Sequence, residues 1–249
     1  MLKVLVIIPC YNEENNIDSV IHDIVDYTIN NHKICPEISI DHVIVNDCSN
    51  DGTLSKCKDK RYNVLNLAVN LGIGGCMQTG YQYALEMGYD IAIQQDGDGQ
   101  HDPRFLRDVI LPIQNGQADI VIGSRFLENN GYQSTGLRRF GISFLSRLIF
   151  ICTGKKIYDV TSGYRAVNRR YIEFFSRRYA QDYPEPESIV DAALNNATIT
   201  EVPVIMHERK EGSSSINSVR SLYYMLKVSL AILLHRLISP KMEEGKFYE

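Results

Sequence analysis

"YDIAIQQDGDGQHDPRFLRDVILPIQNGQADIVIGS" (residues 89–124) is the stretch whose reading decides the fold. A short apolar run ends in an acidic, glycine-rich turn. A helix-spaced segment follows, and a second Ile/Val run closes the unit. Strand, turn, helix and strand in that order make a βαβ unit, which joins parallel strands. In the turn, Asp96 and Asp98 stand two apart, with Asp102 just behind them. Carboxylates held that close repel and raise one another's pKa. Gly97 and Gly99 let the backbone bend sharply there and let a large ligand come near. Two carboxylates and the Gln100 amide form a hard, oxygen-rich patch. Mg²⁺ and Mn²⁺ favour such ligands, together with the phosphate oxygens of a substrate. For so short a motif, a plain acidic turn is the competing account.

Outward from this stretch the alternation repeats. "KVLVIIP" (3–9), "IDHVIVND" (40–47) and "YNVLNLA" (62–68) read as strands. The segment 12–30 carries Ile17, Val20, Ile21, Ile24 and Val25 at helical spacing, and 49–59 and 72–88 also read as helices. The pattern implies an α/β fold, a mainly parallel sheet with helices on both faces, whose ligands sit at the carboxyl ends of the strands. The polar clusters "PCYNEE" (9–14), "NDCSND" (46–51), "NLGIGG" (70–75) and "QDGDGQ" (95–100) each follow a strand. Beyond about residue 124 the pattern is less regular, and this half is expected to complete the sheet and supply an acceptor side.

The bulk properties bound the function. The chain has 249 residues, 44% hydrophobic and 22% charged, enough for one large domain or two small ones with a core of useful size. A net charge of −4 and a pI near 5.9 argue against a protein whose main work is binding nucleic acid. The six cysteines form no CxxC pair and read as reduced thiols, with no zinc site. The N-terminus reads as a first strand and not as a signal peptide. No uncharged apolar run reaches membrane-spanning length. Two interrupted stretches, 140–154 and 222–238, read either as core or partner-binding helices or as helices lying in a bilayer surface. The last ten residues read as a polar tail.

Several residues suit a nucleotide site. Pro9 stops the first strand, Tyr11 offers a flat face, and Asn12 and Glu13 begin a helix. Asp47 is placed to accept hydrogen bonds from a base edge, whereas Ser49, Asn50 and Asp51 read as helix caps. Gly72, Gly74 and Gly75 mark a close backbone approach. Neither a GxGxxG nor a GxxxxGK[ST] motif is present. Glu185 and Glu187, in "YPEPES", read as first-turn acids of a helix.

"VIIPCYNEENNI", "VIVNDCSNDGT", "NLGIGGCMQTGY", "QQDGDGQHDP", "VIGSRF", "DVTSGYRAVNR" and "EVPVIMHERKEGSSSI" follow in that order over residues 4–216. In these blocks the chain resembles the inverting family 2 glycosyltransferases of the GT-A fold, and within them the branch like dolichyl-phosphate mannose synthase. The resemblance implies a GT-A catalytic domain over 1–216, followed by a C-terminal helix and polar tail over 217–249. It implies a nucleotide pocket of Pro9, Tyr11, Asn12, Glu13, Asp47 and Gly72, and a Mg²⁺ or Mn²⁺ ion with the sugar diphosphate on Asp96, Gly97, Asp98 and Gln100. Arg125 is expected to reach the phosphates or the acceptor. Asp159 falls where relatives carry a candidate catalytic carboxylate, so that Asp159, Asp98 and Arg125 form the implied catalytic set. Ser162, Gly163 and Arg165 belong to the acceptor side, and Arg209, Ser213 and Ser214 to a loop that closes over the diphosphate.

The implied reaction moves a sugar from a UDP-, GDP- or dTDP-sugar to a polyprenyl phosphate at the cytoplasmic membrane face, by a peripheral enzyme. A saccharide hydroxyl as acceptor is the first alternative and would need Asp159 as a base. A non-catalytic scaffold binding a membrane partner through 218–238 is the second. The chain departs from many relatives in having at most one interrupted apolar helix after the domain, which leaves a separate membrane subunit or a homo-oligomer open. It also reads "GSSSI" where some relatives carry a lysine after the serine.

Overall fold

The structure is a computed structural model and describes residues 1–128, 136–207 and 218–238. The strands are β1 (Leu2–Cys10), β2 (Ile38–Asn46), β3 (Val64–Asn66), β4 (Ile91–Gln94), β5 (Ile120–Ser124), β6 (Arg165–Asn168) and β7 (Ile199–Pro203). The helices are α1 (Ile17–Ile34), α2 (Thr53–Asp59), α3 (Gly72–Glu86), α4 (Leu106–Gln114), α5 (Gly136–Thr153), α6 (Arg169–Arg177), α7 (Pro184–Leu194) and α8 (Ser218–Ile238). A short 3-10 helix, Pro103–Phe105, leads into α4.

The strands form one sheet in the order β3-β2-β1-β4-β6-β5-β7. Only β6 runs against its neighbours, β4 and β5; the other pairings are parallel. The sheet is therefore mixed and mainly parallel, as the alternating pattern predicts. Both faces are covered, because successive side chains point to opposite sides. In β1, Leu5 and Ile7 join the apolar cluster with α3 and α5–α8, while Val4, Val6 and Ile8 join the cluster with α1 and α4. Full burial of such side chains is worth about 1.5–3 kcal/mol each.

This topology puts the polar blocks on one edge. The segments after β1, β2, β4, β5 and β7 leave from the same end of the sheet. Antiparallel β6 enters from that end, with Arg165 opposite Gln94, so the loop before it arrives there as well.

The C-terminal helix packs on this fold through Val228 and Ile232, which are fully buried in the α3/α5–α8 cluster. His235 clasps it to α7. Its Nδ1 is 2.8 Å from Asp191 Oδ1 and its Nε2 is 3.4 Å from Glu187 Oε2. Arg178 Nη2 lies 3.7 Å from the same Asp191 oxygen. The bonds to Asp191 and Glu187 outweigh burial and push the His235 pKa up to about 9. A raised folded-state pKa stabilises most fully below the unfolded value, about 6.5, and that contribution is lost as pH rises through about 9. With solvent screening, the clasp is worth about 1–2 kcal/mol. Thermal unfolding followed between pH 7 and pH 10 is expected to show this loss in the wild type and to show less of it in His235→Ala.

Candidate active site

Two loops at the sheet edge are stitched together. After β1, Asn12 adopts φ 57°; its N–H donates to Ser49 Oγ (3.0 Å) and its side-chain oxygen accepts the Asn50 N–H (2.8 Å). The Glu13 N–H donates to Thr53 Oγ1 (2.9 Å), and Asp51 accepts from the Glu14 and Thr53 N–H groups. The loop acids and amides thus join α1 to α2. Of the three expected caps, Asp51 accepts the N–H of Thr53, the first residue of α2, whereas Ser49 and Asn50 bond to the loop after β1 and Gly52 holds the N-cap position without a side-chain bond. Tyr11 stays 46% exposed at this junction.

Asp47 is buried, and its two oxygens accept the Leu71 N–H (2.7 Å) and the Gly72 N–H (2.9 Å). It thereby clamps the turn that opens α3, where Gly72 takes φ +73°, a conformation other residues rarely adopt. The sequence reading placed Asp47 against a base. In the structure its carboxylate already holds the start of α3.

Asp96, Asp98 and Gln100 share the turn after β4. Asp96 keeps 34% of its side chain exposed, whereas Asp98 is buried and accepts the Gln100 N–H at 3.0 Å. Gly97 packs under β1, where a Cβ would come within 2.6 Å of Cys10 Sγ. The crowding of acids seen in the sequence is partly relieved here. Asp102 turns away, caps the 3-10 helix and pairs with Arg104 (Nη2–Oδ2 2.5 Å) and His207 (3.2 Å). Burial opposes the Asp102 charge, but the bonds from Arg104 and His207 outweigh it and hold its pKa below the ordinary carboxylate range. His207 also anchors Gln100: its N–H donates to Gln100 O (2.9 Å), and Gln100 Nε2 donates to His207 O (3.2 Å).

Among the described residues no three His, Cys, Asp or Glu gather as a metal cluster. Two aspartates and a side-chain amide on one turn nevertheless fit a hard divalent cation that takes its remaining oxygens from water and a diphosphate.

On the other side of β4, Arg125 and Asp159 form a buried pair. Arg125 Nε and Nη2 each donate at 2.7 Å to the two Asp159 oxygens, the Arg125 N–H adds a third bond, and Thr161 Oγ1 takes another from Nη2. Asp159 has no exposed surface. Glu201 of β7 accepts the Tyr158 and Asp159 N–H groups, at 2.8 Å each. Burial, with the Asp159 charge added, raises the Glu201 pKa.

Two expected acceptor-side residues point inward. Ser162 Oγ donates to the Gly123 carbonyl (2.6 Å). Arg165 is buried and donates to the carbonyls of Ser162, Glu185 and Val160 and to Ser188 Oγ. It holds the loop before β6 against α7. Gly163 does face the acidic turn, as taken up below. Glu185, in the first turn of α7, has its pKa raised by burial, which Arg165 opposes and the Asp96 charge reinforces. Arg209, Ser213 and Ser214 lie outside the described residues. The sequence reading missed Gln94, His101, His207 and Glu201, because none belongs to a spacing with its own chemistry.

Residues 5–175 match the family described as Glycosyl transferase family 2, and the chain belongs to that family. It is 30% identical over 240 residues to a polyprenol monophosphomannose synthase of Mycolicibacterium smegmatis, covering 91% of this chain and 86% of that protein. It is 31% identical to a UDP-N-acetylglucosamine--dolichyl-phosphate N-acetylglucosaminyltransferase of Methanococcus voltae, covering 81% and 84%. In structure it resembles glucosyl-3-phosphoglycerate synthase from Mycobacterium tuberculosis, solved with Mn²⁺, UDP and phosphoglyceric acid, at a TM-score of 0.68 and 19% identity over 97% of this chain and 80% of that one. The fold is GT-A, and the protein is a glycosyltransferase.

Replacing one partner of a buried ion pair costs about 3–5 kcal/mol, because the other charge is left uncompensated. Asp159→Asn is therefore expected to lose about 3 kcal/mol of stability in urea unfolding, and Arg125→Met with Asp159→Leu together are expected to lose less than Asp159→Asn alone.

Proposed function

We propose that this chain transfers a sugar from a nucleotide-sugar donor to a polyprenyl phosphate, with inversion at the anomeric carbon and with Mg²⁺ or Mn²⁺ at Asp96, Asp98 and Gln100. The observation that carries the reading is Asp159. A general base must reach the proton it removes. The Asp159 carboxylate is fully buried and both its oxygens are bonded to Arg125. A hydroxyl acceptor would need a base there; a phosphate acceptor arrives already anionic. The polyprenol- and dolichyl-phosphate chemistry in the relatives' names supports the same choice.

The chain's own groups divide the work. Exposed Tyr11 presents a face for a base, and the Asp47 clamp keeps the α3 turn in place beside it. A bound divalent ion supplies charge neutralisation for the diphosphate that leaves as its bond to the anomeric carbon breaks. Asp96 and Asp98, on their fixed turn, would hold that ion, and the Arg125–Asp159 pair fixes the loops on the acceptor side. The acceptor phosphate oxygen attacks from the opposite face, which inverts the anomeric configuration.

The acceptor is a membrane lipid, and the surface suits a peripheral enzyme. Among the described residues no helix is long and apolar enough to cross a membrane. A surface helix ordinarily turns polar residues outward. Here α5 exposes Phe140, Phe144 and Ile151, and α8 exposes Leu226, Leu230, Leu233 and Leu237, each set at helical spacing. The two helices touch, with Met225 against Gly141, and neither contains an Asp or a Glu. In an acidic chain, an apolar, acid-free face matches an anionic bilayer surface.

Purified protein with Mn²⁺, labelled nucleotide sugars and undecaprenyl phosphate in detergent is expected to place label in the organic phase. Asp98→Asn or a chelator should reduce this at least about 100-fold, in line with the several kcal/mol such ions supply. Undecaprenol, which lacks the phosphate, should accept nothing; transfer to it, or to a saccharide alone, would overturn the reading. In a separate flotation experiment with phosphatidylcholine–phosphatidylglycerol vesicles, Leu230→Glu with Leu237→Glu should weaken binding at least about tenfold, since each buried apolar side chain is worth about 1.5–3 kcal/mol. Equal flotation of variant and wild type would exclude this face.

A further inference from the structure

Gln94, the last residue of β4, is 1% exposed and sits where β4 meets β6. Its Nε2 donates to Asp96 Oδ1 at 3.0 Å. Its other amide atom, Oε1, is buried with no hydrogen-bond partner among the described residues. Turning the amide over would set two oxygens against each other, so the carboxylate fixes the orientation and leaves Oε1 the odd atom out. An unsatisfied buried acceptor costs about 1–3 kcal/mol, whereas an apolar side chain of the same shape would carry no such cost. The amide thus carries the cost of one orphan atom, and its one side-chain bond among the described residues is to Asp96. The gain lies at Asp96.

Two neighbours complete the arrangement. The Asp96 N–H donates to His101 Nδ1 at 3.0 Å, which makes Nδ1 an acceptor and, in the neutral ring, places the proton on Nε2. That Nε2 faces Asp96 Oδ2 from 3.9 Å, and the ring is held in a stack on Tyr164, centroids 5.0 Å apart and 13° from parallel. From the acceptor side comes Gly163. A Cβ built there would lie 2.9 Å from Gln94 Nε2 and 3.1 Å from Asp96 Oδ2. Asp96 is the more exposed of the two aspartates, with 34% of its side chain open, and a carboxylate so placed would otherwise rotate freely. Gln94 holds one oxygen, His101 faces the other, and the bare backbone of Gly163 lets the acceptor-side loop close over both.

We infer that Gln94 is a positioning residue: it locks the Asp96 carboxylate in the one rotation that presents an oxygen to the cation and diphosphate of the donor. The inference rests on the function proposed above. The conserved volume of methionine removes the N–H and the orphan oxygen together. Gln94→Met is therefore expected to keep the wild-type melting temperature or to raise it by about 2–4 °C, the shift that relief of about 1 kcal/mol produces in a chain of this size. It should nevertheless weaken Mn²⁺ binding in the presence of UDP, read by electron paramagnetic resonance, by about tenfold. It should lower kcat/KM for the nucleotide sugar by at least as much while leaving KM for the lipid phosphate within about twofold. Gly163→Ala, which presses a methyl on the same pair, should reproduce the loss of Mn²⁺ affinity. Wild-type Mn²⁺ affinity and kinetics in Gln94→Met would overturn the inference, as would losses that track a fall in melting temperature or fall equally on both substrates. If the wild type itself binds no Mn²⁺ with UDP and transfers no sugar, the proposed function fails first and this role fails with it; a wild type that does both beside an unaltered Gln94→Met removes only the inference.

Discussion

A guanidinium and a carboxylate buried against each other hold the β5–β6 end of this enzyme's site together. Arg125 leaves the end of β5 and Asp159 opens the loop before β6, and neither could stay in the interior without the other. Through Asp159 the constraint spreads. Its N–H ties to Glu201 on β7, and the loop it begins runs through Ser162, bonded back to Gly123, to Gly163 beside the acidic turn. A residue that reads as a candidate base in the sequence is thus the fixed point around which three strand ends are arranged.

The sheet makes that arrangement possible. Parallel strands buried on both faces leave polar residues little room except at the ends, and parallel order collects the carboxyl ends on one edge. The single antiparallel strand, β6, brings the 159–163 loop to the same edge from the opposite direction. Arg165 then braces that loop against α7 through carbonyl contacts, and α7 in turn carries the His235 clasp to α8. The acid-free apolar helices and the loop before β6 are therefore linked through one helix.

Different parts of the site were legible to different degrees. Asp96, Asp98 and Gln100 were readable as one acidic turn after a strand, and the structure places them there, though so short a motif does not by itself separate a cation site from a plain turn. Tyr11, Asn12 and Glu13 were readable as the turn after a strand, but α1 begins only at Ile17 and not at Asn12 as the sequence suggests, because the loop is stitched to Ser49, Asn50 and Thr53, some forty residues away. Asp47 and Arg165 read as ligand contacts in the sequence, and in the structure Asp47 also clamps α3 and Arg165 also braces α7. Residue type alone does not separate these uses, for a carboxylate accepts N–H groups from a base or from a backbone equally well. Asp102 looked like a third member of the acidic cluster and instead pairs with Arg104 and His207.

From the sequence by itself came the alternation of strands and helices, the placement of polar blocks after strands, and seven ordered motifs that together point to one family. These are local properties: apolar periodicity, turn residues and short spacings are written within a dozen positions. The tertiary structure alone decided the direction of β6, the burial of the Arg125–Asp159 pair, the docking of α8 on α7, and the set of Gln94, His101 and Gly163 around Asp96. Each depends on which distant segments become neighbours, and so on how the whole sheet packs rather than on any residue's own preference.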